Sequence, residues 1–373
     1  MNNKIYLCTT VTSKDYKSWS NIPYLLHKNL EKEGYNVVNL ILREFWPIKF
    51  IFNLPVRFFI KCYLLKTTYY YVRTPLHFFF TYIYSQYIRL ISDPGDVMLV
   101  QGFSYPPHNR KNRMLLLGDW PSSYLFEKFL KRLPGRMEMK SVAREDRVIE
   151  MADAVVTLYP DVRDYMLKRY ENKKIYYFGN VINVDEFTKI PIDILDKKKH
   201  SNRLLFIGKA FYIDGANELI DTVENLRDLG YDLHVDIVGI EPRLIRKRFD
   251  WLSIHGYLDK ANLADKNKYY GLLENAKLFV NTTPGWNAFQ ATLEAMYFYN
   301  PIVVRPNDSL TQTFPRLDAC SYLVEDGRSS LHNEIIKSIE CADAYLQKCK
   351  QARMAVEPYT WGNFTKKLIE LMK

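Results

Sequence analysis

Twelve short runs of aliphatic, β-branched and aromatic residues recur along the chain, each followed by a stretch with helical patterning. Strands that alternate with helices pair in parallel, because each must cross the sheet through a helix before the next strand begins. Six runs (4–11, 36–42, 96–102, 113–120, 154–160 and 174–180) precede a polar, Lys-rich stretch, Asp193–Asn202, and six follow it (203–208, 233–239, 252–256, 277–283, 301–305 and 322–325). The spacing predicts an α/β chain with two doubly wound parallel sheets that face a cleft. At 373 residues, two domains are also what length implies. After Gly215 the residues Ala216, Leu219, Ile220, Val223, Leu226 and Leu229 keep the 3.6-residue period, and Gly230 is placed to close that helix.

Charge and aromatic content bound the partners. Lys and Arg number 52 against 42 Asp and Glu, a formal surplus of +10, and 15% of residues are aromatic. A basic, aromatic-rich surface suits nucleic acid, an anionic membrane or an anionic small ligand. Much of the excess lies in residues 45–90, where Lys49, Arg57, Lys61, Lys66, Arg73 and Arg89 interrupt runs of Phe and Tyr and no acid occurs. The longest charge-free stretch there, Thr74–Ile88, is 15 residues with Pro75 and His77 inside it, too short and too polar to span a bilayer. Rings interleaved with cations fit an anionic membrane surface; two core helices with snorkelling cations are the other reading. No nucleic-acid motif accompanies the charge, so no nucleic-acid partner is expected. The five cysteines, an odd number without CxxC spacing, speak against a disulfide framework or a zinc site. The N-terminal apolar run is too short for a signal peptide, and the expected location is cytoplasmic, peripherally associated with the membrane.

Ligands of open α/β sheets bind outside the carboxyl ends of the strands, so those residues are the candidates. Gly208-Lys209 ends one strand: the glycine lets a backbone approach a ligand, and the ammonium suits phosphate. Tyr257 follows Gly256 and either stacks on a nucleotide base or packs into the core. Glu294 stands in an apolar helix, where it either takes hydrogen bonds from sugar hydroxyls or is held by a structural salt bridge. In the first half Asp119 ends the run MLLLGDW, as a general base or as a cap for the helix after Pro121. His108 is a second candidate base in a loop.

Several motifs together resemble a known family. Met151–Val156 (MADAVV), Gly179–Phe187 (GNVINVDEF), Leu293-Glu294-Ala295-Met296, Asn300–Val304 (NPIVV) and Tyr359-Thr360-Trp361 follow the order and spacing of glycosyltransferases of the GT-B fold, of the large retaining, family-four type. The resemblance implies two Rossmann-like domains: residues 1–190 for the acceptor, with 45–90 facing a membrane, 200–355 for the donor, and 356–373 as a helix returning to the first domain. It also implies that Glu294 holds the nucleotide ribose and Lys209 the diphosphate. Asn287, Ala288 and Phe289 then offer backbone amides near the sugar phosphate. Two positions depart from the pattern. Trp286 stands where the family's Glu-x7-Glu motif has its first Glu, and Asp214 where it has a Lys; Arg243, Arg246 or Arg305 are nearby replacements for the missing cation.

The implied reaction is transfer of a sugar from a nucleotide-sugar donor to a lipid-linked or membrane-proximal glycan, with retention. No cofactor is expected, and because no Asp-x-Asp pair stands at a strand end, no metal either. The alternatives are a degenerate module that binds a nucleotide sugar or a partner without turnover, and a nucleotide-sugar epimerase of the same fold, against which the aromatic-basic stretch speaks.

Overall fold

The structure, a computed structural model, describes residues 4–9, 21–41, 46–61, 69–104, 111–184, 190–284, 289–325 and 330–373. It separates into two compact units, Met1–Gly179 with Trp361–Lys373, and Asn180–Thr360. Each unit is built on one six-stranded sheet in which every pairing is parallel.

The first sheet holds β1 (Lys4–Thr9), β2 (Asn36–Ile41), β3 (Val97–Gln101), β4 (Arg113–Gly118), β5 (Ala154–Thr157) and β6 (Ile175–Tyr177), in the spatial order β2-β1-β3-β4-β5-β6. Its central strands read as nearly continuous apolar runs because helices cover both faces; Leu99, Leu115, Leu116, Val155 and Val156 are fully buried. The closing helix Trp361–Met372 belongs to this unit and lies against Ile22–Lys32.

The second sheet holds β7 (Arg203–Ile207), β8 (His234–Val238), β9 (Leu252–Gly256), β10 (Ala276–Asn281), β11 (Ile302–Val304) and β12 (Ser321–Leu323), in the order β12-β11-β10-β7-β8-β9. This is the doubly wound arrangement whose strand order reverses between β7 and β10. The helix Ile213–Asp228 buries Ala216, Leu219, Ile220, Val223 and Leu226 against β7 and β8, as its period requires. Leu229, expected on the same stripe, is exposed instead: it is the last residue before the chain turns away. The Gly230 amide bonds to the Arg227 carbonyl (2.9 Å) and that of Tyr231 to Leu226 (3.1 Å), with Gly230 at φ +94°. That pair of bonds is the Schellman ending that a left-handed glycine permits.

The Lys-rich stretch at 193–202 is itself folded into the second unit. Its residues Ile194–His200 form a helix of the second unit, and Lys198 is 0% exposed. The Lys198 ammonium donates to the carbonyls of Leu273 (2.5 Å) and Ala276 (2.8 Å) and to Asn300 Oδ1 (2.7 Å). Burial pushes its pKa down, while three acceptors call for all three of its protons. The division between units instead falls at Gly179, ahead of the expected residue 190. The residues just after it are already hydrogen-bonded within the second unit: Ile182 donates to the Tyr359 carbonyl (2.9 Å), and Gln290 Nε2 donates to that of Val181 (2.7 Å). Replacing Lys198 by Ala removes the donor of three buried acceptors and leaves a cavity. The unfolding free energy should fall by about 2–5 kcal/mol, read from the denaturant midpoint; an unchanged midpoint would show that the three bonds contribute nothing net.

Candidate functional site

Three adjacent strands of the second sheet end on glycine: Gly208 after β7, Gly239 after β8 and Gly256 closing β9. The ladder runs on through them. Gly208 N donates to the Val238 carbonyl (3.0 Å) and Gly239 N to that of Gly256 (2.7 Å). Gly239 lies at φ +92°, and a Cβ there would stand 2.5 Å from the Gly208 carbonyl oxygen. Side chains are therefore excluded from the carboxyl edge of β7 and β8, which leaves a bare backbone ledge beside the point where strand order reverses. The next helix is equally close: a Cβ on Gly215 would come within 2.9 Å of the Thr283 amide nitrogen, just past β10.

Lys209 stands at the end of this ledge. It is exposed, and its ammonium has no partner among the described residues. Asp214 is exposed in the first turn of Ile213–Asp228, where a carboxylate complements the positive end of the helix. Tyr257 is 65% exposed, so the core-packing reading is not what the structure shows; its ring stands outside the core just beyond Gly256. Of the three candidate replacement cations, Arg243 and Arg246 are exposed, while Arg305 is engaged. Its guanidinium bonds to the Thr282 carbonyl (2.9 Å) and to Glu218 Oε1 (2.8 Å), which ties the end of β11 to the end of β10 and to the helix after β7.

Glu294, in the helix Phe289–Tyr297, is 1% exposed and accepts hydrogen bonds on both oxygens. Lys260 Nζ reaches Oε1 at 2.7 Å, Gln290 Nε2 reaches the same oxygen at 3.3 Å, and the Tyr269 hydroxyl donates to Oε2 at 2.6 Å. Burial and the neighbouring carboxylate push the Tyr269 pKa well up, which keeps that phenol a donor. Of the two readings open to Glu294 in the sequence, the salt bridge is present, and one acceptor direction on Oε2 is left by these three bonds. The sequence reading missed Lys260 and Tyr269, since neither is close to Glu294 in the chain. Asn287, Ala288 and Trp286 lie outside the described residues; Phe289 opens the helix, and nothing is described of its side chain.

In the first unit Asp119 follows β4 half-buried, and its carbonyl accepts from Thr157 Oγ1 (2.7 Å). The amide of Ser122, which opens the helix after Pro121, is bonded to the carboxylate of Glu145. Glu145 also accepts from Ser122 Oγ (2.9 Å) and Ser104 Oγ (3.2 Å), joining the ends of β3 and β4. A signal for it exists in the sequence: Glu138, Ser141, Val142, Glu145, Val148 and Ile149 form the buried stripe of Arg136–Met151, with two carboxylates where the period calls for apolar side chains. His108 lies outside the described residues.

A polar cavity of about 550 Å³ lies elsewhere in the second unit, lined by Arg203, Asp236 and His255 among others. Buried Asp236 accepts two bonds from Arg203 (2.7 and 2.9 Å) and one from His255 (2.8 Å). Burial alone would push its pKa up; the bonds from His255 and Arg203 outweigh that and hold it down. This cluster is satisfied within itself, so the strand-end ledge is the better candidate site.

No protein-family model and no curated protein matches this sequence. Solved structures do. A TarM variant from S. aureus, in complex with Fondaparinux, alpha-GlcNAc-glycerol and UDP, is 14% identical over 79% of this chain and 59% of its own, with a TM-score of 0.56. This chain thus spans less than two thirds of TarM's length. Sucrose-phosphate synthase from Thermosynechococcus elongatus is 13% identical over 99% of this chain and 98% of its own, with a TM-score of 0.68. WaaG, a glycosyltransferase involved in lipopolysaccharide biosynthesis, is 13% identical over 99% of both chains, with a TM-score of 0.66. The two parallel six-stranded sheets with flanking helices are the GT-B fold of these structures.

Burial pushes the Glu145 pKa up, against the Ser122 amide and hydroxyl, Arg73 and Ser104, which pull it down. A raised folded-state value gives stability that is present below the unfolded pKa and lost as pH rises through the folded one. The melting-point advantage of wild type over Glu145→Gln should therefore shrink as pH climbs above about 4.5. Calorimetric melting of both proteins across that range checks it; a growing advantage would contradict the burial argument.

Proposed function

We propose that the chain is a glycosyltransferase that moves a sugar from a nucleotide-sugar donor to a lipid-linked or membrane-proximal glycan, with retention at the anomeric carbon. The observation that carries the reading is the bare glycine ledge at the strand-order reversal of a GT-B donor-side sheet, with the Lys209 ammonium, unpartnered among the described residues, at its end. Support comes from the UDP held by the TarM variant and from the WaaG likeness. The aromatic-basic stretch at 45–90 motivates a membrane-proximal acceptor and a place at the cytoplasmic membrane surface.

Sugar transfer breaks the bond from the anomeric carbon to the donor phosphate oxygen and forms one to the acceptor oxygen, whose proton is released. The nucleoside diphosphate leaves with negative charge, so fixed donors aimed at it lower the barrier most. In this reading Lys209 meets the diphosphate, and the backbone amides of Asn287, Ala288 and Phe289 meet the sugar-side phosphate. Tyr257 stacks on the base. Glu294 uses its remaining acceptor direction for a ribose hydroxyl, with Lys260 and Tyr269 fixing the carboxylate. Protein cations and amides hold the diphosphate, so the reaction proceeds without a metal or other cofactor. Asp119 and His108 are the acceptor-side candidates for receiving the proton.

A second reading, a binding module without turnover, is favoured by how fully Glu294 is engaged and by Trp286 and Asp214. Incubating the full chain with radiolabelled nucleotide sugars and membrane lipid extract separates the two. Transfer or donor hydrolysis that Glu294→Ala loses removes the binding module; no turnover with any common donor removes the transferase. Lys209→Ala should lower kcat/KM for the donor by about 10–100-fold, the worth of one charged hydrogen bond.

A further inference from the structure

Two helices of the first unit are inverted relative to a soluble fold. The helix Pro75–Ile91 turns His77, Thr81 and Ser85 inward together with Ile88, and turns Leu76, Phe79, Ile83, Tyr87 and Leu90 outward. The outward set is spaced three, four, four and three residues apart, a single stripe along the helix. Exposure on it reaches 56% at Phe79, 48% at Ile83 and 81% at Leu90. The helix Trp46–Lys61 repeats the pattern: Asn53 is buried and accepts from the Tyr71 amide (2.9 Å), while Phe50, Ile51 and Leu54 are exposed. A surface helix ordinarily does the reverse, because burying polar groups and wetting rings both cost free energy.

The charges around the stripe choose its occupant. From 45 to 92 the sequence has six cations and no acid. At one end of Pro75–Ile91, Arg144 donates to the Arg73 carbonyl (2.6 Å) and lies over the Phe78 ring. At the other, Arg89 is exposed, and the Lys111 ammonium bonds to the carbonyls of Arg89 (3.2 Å) and Ser92. One exposed acid, Asp93, follows the helix. No helix among the described residues is long and apolar enough to cross a membrane. An apolar stripe of about four turns of helix, bracketed by cations, in a helix too short and polar to span, matches a bilayer surface with anionic headgroups: rings enter the acyl boundary while guanidinium and ammonium groups stay at the phosphates. A protein partner would explain the stripe but not six cations without an acid from 45 to 92.

We infer that the first unit docks on an anionic lipid surface by laying the helix Pro75–Ile91 in the plane of the bilayer, with Leu76, Phe79, Ile83, Tyr87 and Leu90 inserted. This rests on the membrane-proximal part of the proposed function and not on sugar transfer.

Flotation of the full chain with phosphatidylcholine vesicles, and with equimolar phosphatidylcholine and phosphatidylglycerol, tests it without donor or acceptor. The chain should float with the anionic vesicles, and rising salt should weaken binding. The double variant Phe79→Glu, Ile83→Glu should lose at least about tenfold in vesicle affinity. Leu76→Ser with Leu90→Ser, a milder pair, should lose affinity in the same direction, which guards against misfolding of the first. UDP binding by calorimetry in the absence of vesicles should be equal in wild type and both variants, so loss of docking and loss of the donor site are read separately. No flotation with either vesicle, equal flotation of wild type and variants, or a dimer in sedimentation that the same substitutions dissociate would each overturn the docking surface.

Discussion

A carboxylate inside an apolar helix has to be paired, and the second unit is arranged around that requirement. Glu294 draws Lys260 from beyond β9, Tyr269 from the next helix and Gln290 from its own helix. Gln290 in turn reaches the Val181 carbonyl, so the segment that opens the unit is fastened to the same group. Leaving Lys260 out would strand a buried charge at a cost of about 3–5 kcal/mol, and leaving out Tyr269 or Gln290 would remove a neutral hydrogen bond from the same carboxylate. The site inherits its rigidity from this network.

The same rule, applied to a cation, fixes the other side of the unit. Lys198 is buried and satisfied by Leu273, Ala276 and Asn300; Asn300 Nδ2 bonds back to the Leu273 carbonyl (2.9 Å) and that of Ala295 (3.0 Å). The two networks meet on one helix: Gln290 and Glu294 lie within Phe289–Tyr297, and Ala295 and Asn300 stand at its close.

Strand positions and the helix after Gly215 were legible, because both are set by local periodicity and by short-range turn chemistry such as the left-handed Gly230. The glycines that end β7, β8 and β9 were also visible as strand ends. That they form one ledge follows only from β7, β8 and β9 being neighbours in the sheet. Misreadings cluster where a residue's surroundings contradict its type. Asp193–Asn202 read only as a polar stretch between the two halves, and it holds a helix with a buried lysine. Tyr257 was open to a core reading and is exposed. Glu145 was passed over although it interrupts an apolar stripe.

What the sequence determined by itself was the alternation of strands and helices, the parallel pairing that follows, and the chemistry available at each strand end. These depend on spacing along the chain, which is local. Tertiary structure decided which charge meets which. Lys260 lies 34 residues from Glu294 and Lys198 lies 102 from Asn300, and nothing in the local pattern links either pair. It also decided the sense of Pro75–Ile91. Periodicity draws the two faces of a helix, but only packing against the rest of the unit determines that the polar face turns in and the rings turn out.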